Sequence, residues 1–270
     1  MSIKLIALDI DETLLTTKHE IAESTKVALK KAHEQGIKVV LCTGRPLAAV
    51  TMYLDELGLS GSDQYVVTYN GALVQNLDGE IIARNILTNA EYQQIDRFAE
   101  HYHVQYNILD EDSKIYTPND DISWFTVIQA MENEAGIHVR QANQFPDDFE
   151  IAKAVLVGDT KLLDYAESDP DHILDKDHFY VVRSTDNFLE VMNKKANKGA
   201  GLQELAEYLK LKPDELMAFG DERNDLPMFE YVGTSVGMGN GSDYIKGQVS
   251  FVTKSNDDDG IAFALNKFLK

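Results

Sequence analysis

A chain of 270 residues, 44% of them hydrophobic, has enough apolar content for one large packed domain or two modest ones. Forty-five acidic against 25 basic residues give a formal charge of −20, a field that repels nucleic acid and anionic membrane, and no run of lysine and arginine overrides it. No stretch approaches the roughly 18 apolar residues of a membrane span and no secretion-type leader opens the chain, so a cytoplasmic protein is expected; the single cysteine, Cys42, excludes an intrachain disulfide and a cysteine-rich metal site.

The first element lies in LIALDIDETLL, where Lys4 to Asp9 reads as a strand buried on both faces. A helix follows over about Thr25 to Gln35, with Ser24 as cap and Gly36 as stop. IKVVLCTGRP holds a second apolar strand that buries Cys42 and ends in Thr43, Gly44 and Arg45. Pro46 suits the first turn of another helix, LAAVTMYLDELGL, which ends near Gly58. A third strand, YVVTYNGA, ends at Asn70 and Gly71. Strand, helix, strand, helix, strand predicts a parallel sheet with helices on its faces.

From Asn85 to Glu190 the texture changes. This stretch holds the only tryptophan, Trp124, five of the seven histidines, and strand-like pieces such as IAKAVLVGD and FYVVRS. It reads as an inserted domain, residues 85–190, dividing a core of residues 1–84 and 191–270. The alternation then resumes: KGAGLQELAEYLKL sets Leu202, Leu205, Ala206 and Leu209 on one helical face, ELMAFGD supplies another buried strand, and SFVT precedes a last helix from about Asp259. The expected class is α/β, a doubly wound parallel-sheet (Rossmann-like) core with an inserted α/β domain.

Four apolar strands each end in a polar group: Asp9, Thr43, Asn70 and Asp221. In a parallel sheet these ends share one edge, and ligands of open α/β sheets bind outside the carboxyl ends of the strands. Asp9 and Asp11, at i and i+2, face one small volume while Ile10 turns away. Two carboxylates there repel unless a cation or proton lies between them, and magnesium suits such oxygen ligands. Asp9 is thus a candidate nucleophile that forms an acyl phosphate, and Asp11 a candidate general acid and base. Thr43 and Gly44 offer a hydroxyl and an open amide to phosphate oxygens. Lys198 at a helix start stabilises the same anion. Asp221 completes the magnesium site, with Asn224 and Asp225 orienting neighbouring ligands.

DIDETL, TGRP, NKG and GDERNDLPM resemble the four ordered motifs of the haloacid dehalogenase superfamily, and YNGA with the position of the insert resembles its Cof-like sugar phosphatase branch. The resemblance implies Asp9 as nucleophile and Asp11 as general acid and base. It also implies magnesium held by the Asp9 carboxylate, the Asp11 main-chain carbonyl and Asp221. Phosphate contacts are implied from the backbone at Ile10 and from Thr43, Gly44, Lys198 and Asn224, with the insert as a mobile cap that closes over substrate. NKKANKG departs from the family pattern by offering Lys194, Lys195 and Lys198; the glycine and amphipathic helix after Lys198 favour it, with Lys195 as the alternative. Glu222 either holds a metal-bound water or is a solvated turn residue, and Arg45 either meets substrate or cap or forms a structural ion pair. Asp159 in AVLVGDT imitates the fourth motif without a following Asn-Asp pair and reads as a strand end and turn.

The expected activity is magnesium-dependent hydrolysis of small phosphorylated metabolites, sugar phosphates foremost. Two other readings stand beside it: a phosphoaspartate signalling module, and a phosphomutase of the same superfamily. The acid/base at Asp11 and the large insert favour turnover over switching.

Overall fold

Four consecutive buried residues, Leu5–Leu8, form the first strand (β1) of the computed structural model, which describes residues 2–269. In chain order there follow α1 (Glu23–Glu34), β2 (Lys38–Cys42), α2 (Thr51–Glu56), β3 (Tyr65–Thr68), β4 (Leu73–Asn76) and β5 (Ile81–Arg84). The chain continues through β6 (Leu87–Thr88), α3 (Asn89–Tyr102), β7 (Gln105–Leu109), β8 (Ile115–Thr117), α4 (Trp124–Glu132) and β9 (Ile137–Val139). Next come β10 (Glu150–Ile151), β11 (Lys153–Val157), α5 (Thr160–Ser168), β12 (Phe179–Thr185) and β13 (Phe188–Asn193). It ends in α6 (Lys198–Tyr208), β14 (Leu216–Gly220), α7 (Leu226–Tyr231), β15 (Thr234–Gly237), α8 (Asp243–Lys246), β16 (Phe251–Val252) and α9 (Gly260–Phe268).

Two units result. The first comprises the described residues up to Gly44, Val50–Arg84 and those from Asn197 on; the second comprises Arg45–Ala49 and Asn85–Ala196. In the first, an eight-stranded sheet runs in the order β16-β15-β14-β1-β2-β3-β4-β5. From β16 to β3 every pairing is parallel, and β1 sits between β14 and β2 with Leu8 opposite Phe219 and Leu41. The carboxyl ends of β14, β1, β2 and β3 therefore lie along one edge. One face of the sheet packs Leu5, Ala7, Val40 and Ala218 against Leu202, Leu205 and Phe229 of the covering helices. Burying each such aliphatic side chain contributes about 1.5–3 kcal/mol, which holds the strand ends in fixed register.

Three local features differ from the sequence-based expectation. The core sheet is not wholly parallel, because β4 and β5 form an antiparallel hairpin at its edge. Gly79, at φ +90°, makes its turn, and Asn76 Oδ1 accepts the amides of Asp78 and Glu80. Helix α2 starts at Thr51 and not at Pro46, since the chain first closes a turn from Ala49 N–H to the Pro46 carbonyl. Ser24 does not cap α1; Ala22 stands at the cap, and the Ser24 hydroxyl donates to Asp259 instead.

The second unit has its own sheet, β12-β13-β11-β7-β8-β9, antiparallel except for β8 with β9. Tyr92, Ile95 and Phe98 of α3 and Leu163 of α5 pack on it with Ile108, Leu156 and Leu189. Thr88 and Glu91 cap α3 reciprocally. The boundary at 190/191 read from the sequence falls inside β13, whose residues pair with β11 and β12, so the chain leaves this unit only after Ala196. A cavity of about 530 Å³ lies within the unit, lined by Asp96, His103, Tyr106, Asn119 and Gln141 among others, and none of the strand-end residues lines it. Asp159, just past β11, caps the helix α5 through the Leu162 amide, where the sequence suggested a strand end and turn. Among the described residues no helix is long and apolar enough to cross a membrane.

Candidate active site

Asp9 is delivered by the end of β1, where its N–H donates to the Phe219 carbonyl at 3.1 Å, and the residue is 7% exposed. Lys198 comes from the first turn of α6, whose cap Asn197 accepts the Ala200 amide. The lysine is fully buried, yet its Nζ lies 2.5 Å from Asp9 Oδ1 and 2.6 Å from Asp225 Oδ1. Asp225 follows β14 in a one-turn helix, and its other oxygen, Oδ2, accepts the amides of Asp221 and Glu222 at 2.9 and 3.1 Å. Glycine is required twice for this approach. A Cβ on Gly199 would lie 2.2 Å from the Pro227 carbonyl oxygen, and one on Gly220 would lie 2.4 Å from the Asp225 carboxyl carbon. The glycines of NKG and GD thus let Lys198 and Asp225 meet.

Carboxylate oxygens of Asp9, Asp221 and Asp225 come within 4.8 Å of one another. One buried lysine faces three buried acids, and the imbalance is legible in their acidity. Burial raises the Asp9 carboxyl well above its ordinary range, with Lys198 opposing and Asp225 and Asp221 adding to it. Burial and then Asp225 push Asp221 up to about 7, against the bond it accepts from the Thr13 hydroxyl at 2.7 Å. For Lys198 burial works against the charge, but Asp225 and Asp9 outweigh it and hold the ammonium above the usual lysine range. The cluster therefore carries a carboxylate surplus that a hard cation would offset, and its donors are all oxygens, as magnesium requires. Both Asp225 oxygens are engaged by Lys198 and backbone amides, which leaves Asp9 and Asp221 as the carboxylates suited to hold the ion.

A second group gathers beside β2 and β3. Thr43, 1% exposed, accepts the Asn70 amide on its carbonyl at 2.8 Å. Asn70 sits at φ 55°, a left-handed conformation that asparagine tolerates, and its Oδ1 accepts Asn224 Nδ2 at 3.3 Å. Gly44 lies so close that a Cβ there would stand 3.2 Å from Asn70 Nδ2. Thr43, Gly44, Asn70 and Asn224 are thereby brought together. Ile10 is buried and Asp11 is exposed, on extended backbone at φ −70°, ψ 133°. Glu222 is exposed with its carboxylate accepting the Arg223 amide. Lys195 is exposed, whereas Lys198 reaches the acids. Arg45 falls in the short segment grouped with the second unit. Thr13 was not singled out by motif spacing; a threonine four residues after a strand-end aspartate was the available signal.

A buried lysine thus bridges Asp9 at the end of β1 and Asp225 beyond β14 at the carboxyl edge of a largely parallel sheet, the edge at which α/β enzymes bind their ligands. The haloacid dehalogenase-like hydrolase family matches residues 6–265. The chain is 36% identical over 268 residues to YxeH of Bacillus subtilis, covering 98% of each protein. It is 26% identical over 298 residues to the 5-amino-6-(5-phospho-D-ribitylamino)uracil phosphatase YwtE of B. subtilis, covering 98% of each. Among solved structures, a haloacid dehalogenase-like hydrolase from Bacteroides thetaiotaomicron superposes with a TM-score of 0.86 at 30% identity, over 98% of this chain and 99% of that one. The chain belongs to the haloacid dehalogenase superfamily, in its Cof-like branch, and is a phosphatase, a phosphoric monoester hydrolase.

Proposed function

We propose that the protein hydrolyses small phosphorylated metabolites, sugar phosphates in particular, with magnesium and through an aspartyl-phosphate on Asp9, the inserted domain acting as a cap over the substrate. The observation that carries this reading is the buried Asp9–Lys198–Asp225 bridge beside Asp221. Asp9 attacks phosphorus while Asp11 protonates the departing oxygen; Asp11 then takes a proton from water, which cleaves the acyl phosphate and frees the aspartate. Lys198, Thr43, Gly44 and Asn224 hold the phosphoryl oxygens, and Lys198 offsets charge that builds on them. Asp9, the Asp11 carbonyl and Asp221 would hold magnesium, which when bound would supply Lewis-acid neutralisation of the phosphoryl group. Asp225 orients Lys198 and the Asp221 loop. The phospho-ribityl substrate in the name of YwtE supports a phosphorylated polyol as substrate class.

The test is phosphate release from sugar phosphates, nucleotides and phosphorylated cofactors, with magnesium or a chelator, and with Asp9→Asn as blank. Magnesium-dependent release absent from the blank is expected. Release that persists in chelator at the full rate would overturn the metal requirement, and interconversion of sugar phosphates without release would mark a mutase. Asp11→Asn is expected to accumulate acid-stable label on Asp9 from a radioactive substrate, with turnover lowered about 10²–10⁴-fold. Absence of any labelled protein would remove the covalent step.

Metal binding should depend on pH in a defined direction. The raised Asp221 value means the metal-free fold binds a proton there more tightly than the unfolded chain, so this group's contribution to stability declines as pH rises from about 4 to 7. The ion requires the carboxylate, so magnesium affinity is expected to fall as pH drops below 7, approaching about tenfold per pH unit. Thermal shifts with magnesium at pH 5.5 and 8 measure this, and an equal shift at both values contradicts an acidic cluster as the site.

A further inference from the structure

The five residues after Asp9 do not form a regular element. Ile10–Leu14 make a single wide turn in which Leu14 N–H reaches back to the Asp9 carbonyl and Leu15 N–H to that of Ile10. Asp11 is extended within it, and Glu12 sits at φ 56°, a left-handed conformation that costs a non-glycine residue about 1–2 kcal/mol. Something must hold Glu12 there. The holding groups come from the far end of the chain. Asn240 Nδ2 donates to the Glu12 carbonyl at 2.8 Å. Asn256, 6% exposed, donates from Nδ2 to the Leu15 carbonyl at 2.9 Å and to Glu12 Oε2 at 3.4 Å, and its own N–H donates to Asn240 Oδ1 at 3.0 Å. The two amides thus grip the turn at Glu12 and again at Leu15, and grip each other.

This grip is tied to the metal-side loop. Met238 N–H donates to the Gly220 carbonyl, Gly239 N–H to the Lys254 carbonyl, and a Cβ on Gly241 would stand 3.0 Å from the Asp221 carbonyl oxygen. Asp257 extends the same seam by accepting both the amide and the hydroxyl of Thr17 at 2.9 Å. We infer that Asn240 and Asn256 are positioning residues for Asp11: by fixing the Glu12–Thr13 peptide and the Glu12 side chain they hold Glu12 at positive φ, which sets the preceding Asp11–Glu12 peptide and keeps the Asp11 carboxylate registered against the nucleophile. The inference rests on the acid/base reading of Asp11 above. Loss of the grip lets Glu12 relax to negative φ, which rotates the Asp11–Glu12 peptide and swings Asp11 out of reach of the leaving oxygen.

A displaced general acid hurts poor leaving groups most. The test compares kcat/KM, which reports phosphorylation of Asp9, for phenyl phosphate and p-nitrophenyl phosphate in Asn256→Asp, whose side chain keeps its size and loses its donor. The loss is expected to be about tenfold greater on phenyl phosphate, whose phenolate is the more basic and needs the proton more. Asn240→Asp, at an exposed position, carries the test if Asn256→Asp does not fold. Equal losses on both substrates in a folded variant overturn the inference, because a purely structural role lowers both alike. Asp11→Asn is the control: if it too shows no leaving-group bias, the acid role of Asp11 fails, whereas bias in Asp11→Asn without bias in the asparagine variants sinks the positioning role alone.

Discussion

Asp9→Asn is expected to lower turnover at least about ten-thousandfold while leaving the fold as stable as the parent or more so. Asparagine has no oxygen nucleophilic enough to form the phosphoenzyme, so the covalent route is closed. It still offers Oδ1 to Lys198, which donates there at 2.5 Å. What disappears is one negative charge from a buried group of three acids and one lysine, the group in which burial and neighbouring carboxylates hold Asp9 well above its ordinary pKa. A raised folded-state value means ionised Asp9 opposes folding at neutral pH, and its removal relieves that opposition. Activity assays alongside thermal melts without magnesium measure both halves. A melting temperature several degrees below the parent would show that the Asp9–Lys198 bridge stabilises more than the charge crowding costs.

Lys198→Met carries the opposite signature. Methionine fills much the same volume but leaves Asp9, Asp221 and Asp225 facing one another with no cation, and breaking a buried ion pair from one side costs about 3–5 kcal/mol. Turnover is expected to fall about a thousandfold, since the charge on the transferring phosphoryl group loses its fixed counter-charge. Protonating the orphaned acids repairs the stability defect, so the deficit against the parent in urea should be large at pH 8 and small at pH 5. An equal deficit at both values would mean the lysine acts by packing its stem and not by its charge.

Much of this site could be read in advance because its chemistry is local. Asp9, Thr43, Asn70 and Asp221 each close an apolar run, and parallel pairing of β14, β1, β2 and β3 follows from the alternation of strands and helices. Lys198 stands beside the glycine that permits its helix to approach Pro227. What was not readable depends on partners far apart in the chain. Thr13 matters through a bond to Asp221, and Asn256 through bonds to Glu12 and Leu15, contacts that no spacing within one segment encodes. Ser24 has the composition of a cap, but the nearby Asp259 competes for its hydroxyl. The β4–β5 hairpin escaped the strand–helix alternation because its signal, Asp78-Gly79 between two short apolar runs, is that of an antiparallel turn.

The central place of β1 has a consequence for how the protein is made. Leu5 pairs with Leu216, so during synthesis one side of β1 has no partner until β14 has been made. At about 5–20 residues per second that wait is roughly ten to forty seconds. Meanwhile the inserted unit, nearly all of it one continuous stretch, can complete its own sheet. The nascent chain therefore carries a finished insert on an unfinished scaffold, with an apolar strand edge open to chaperones and to other chains until the C-terminal segment arrives.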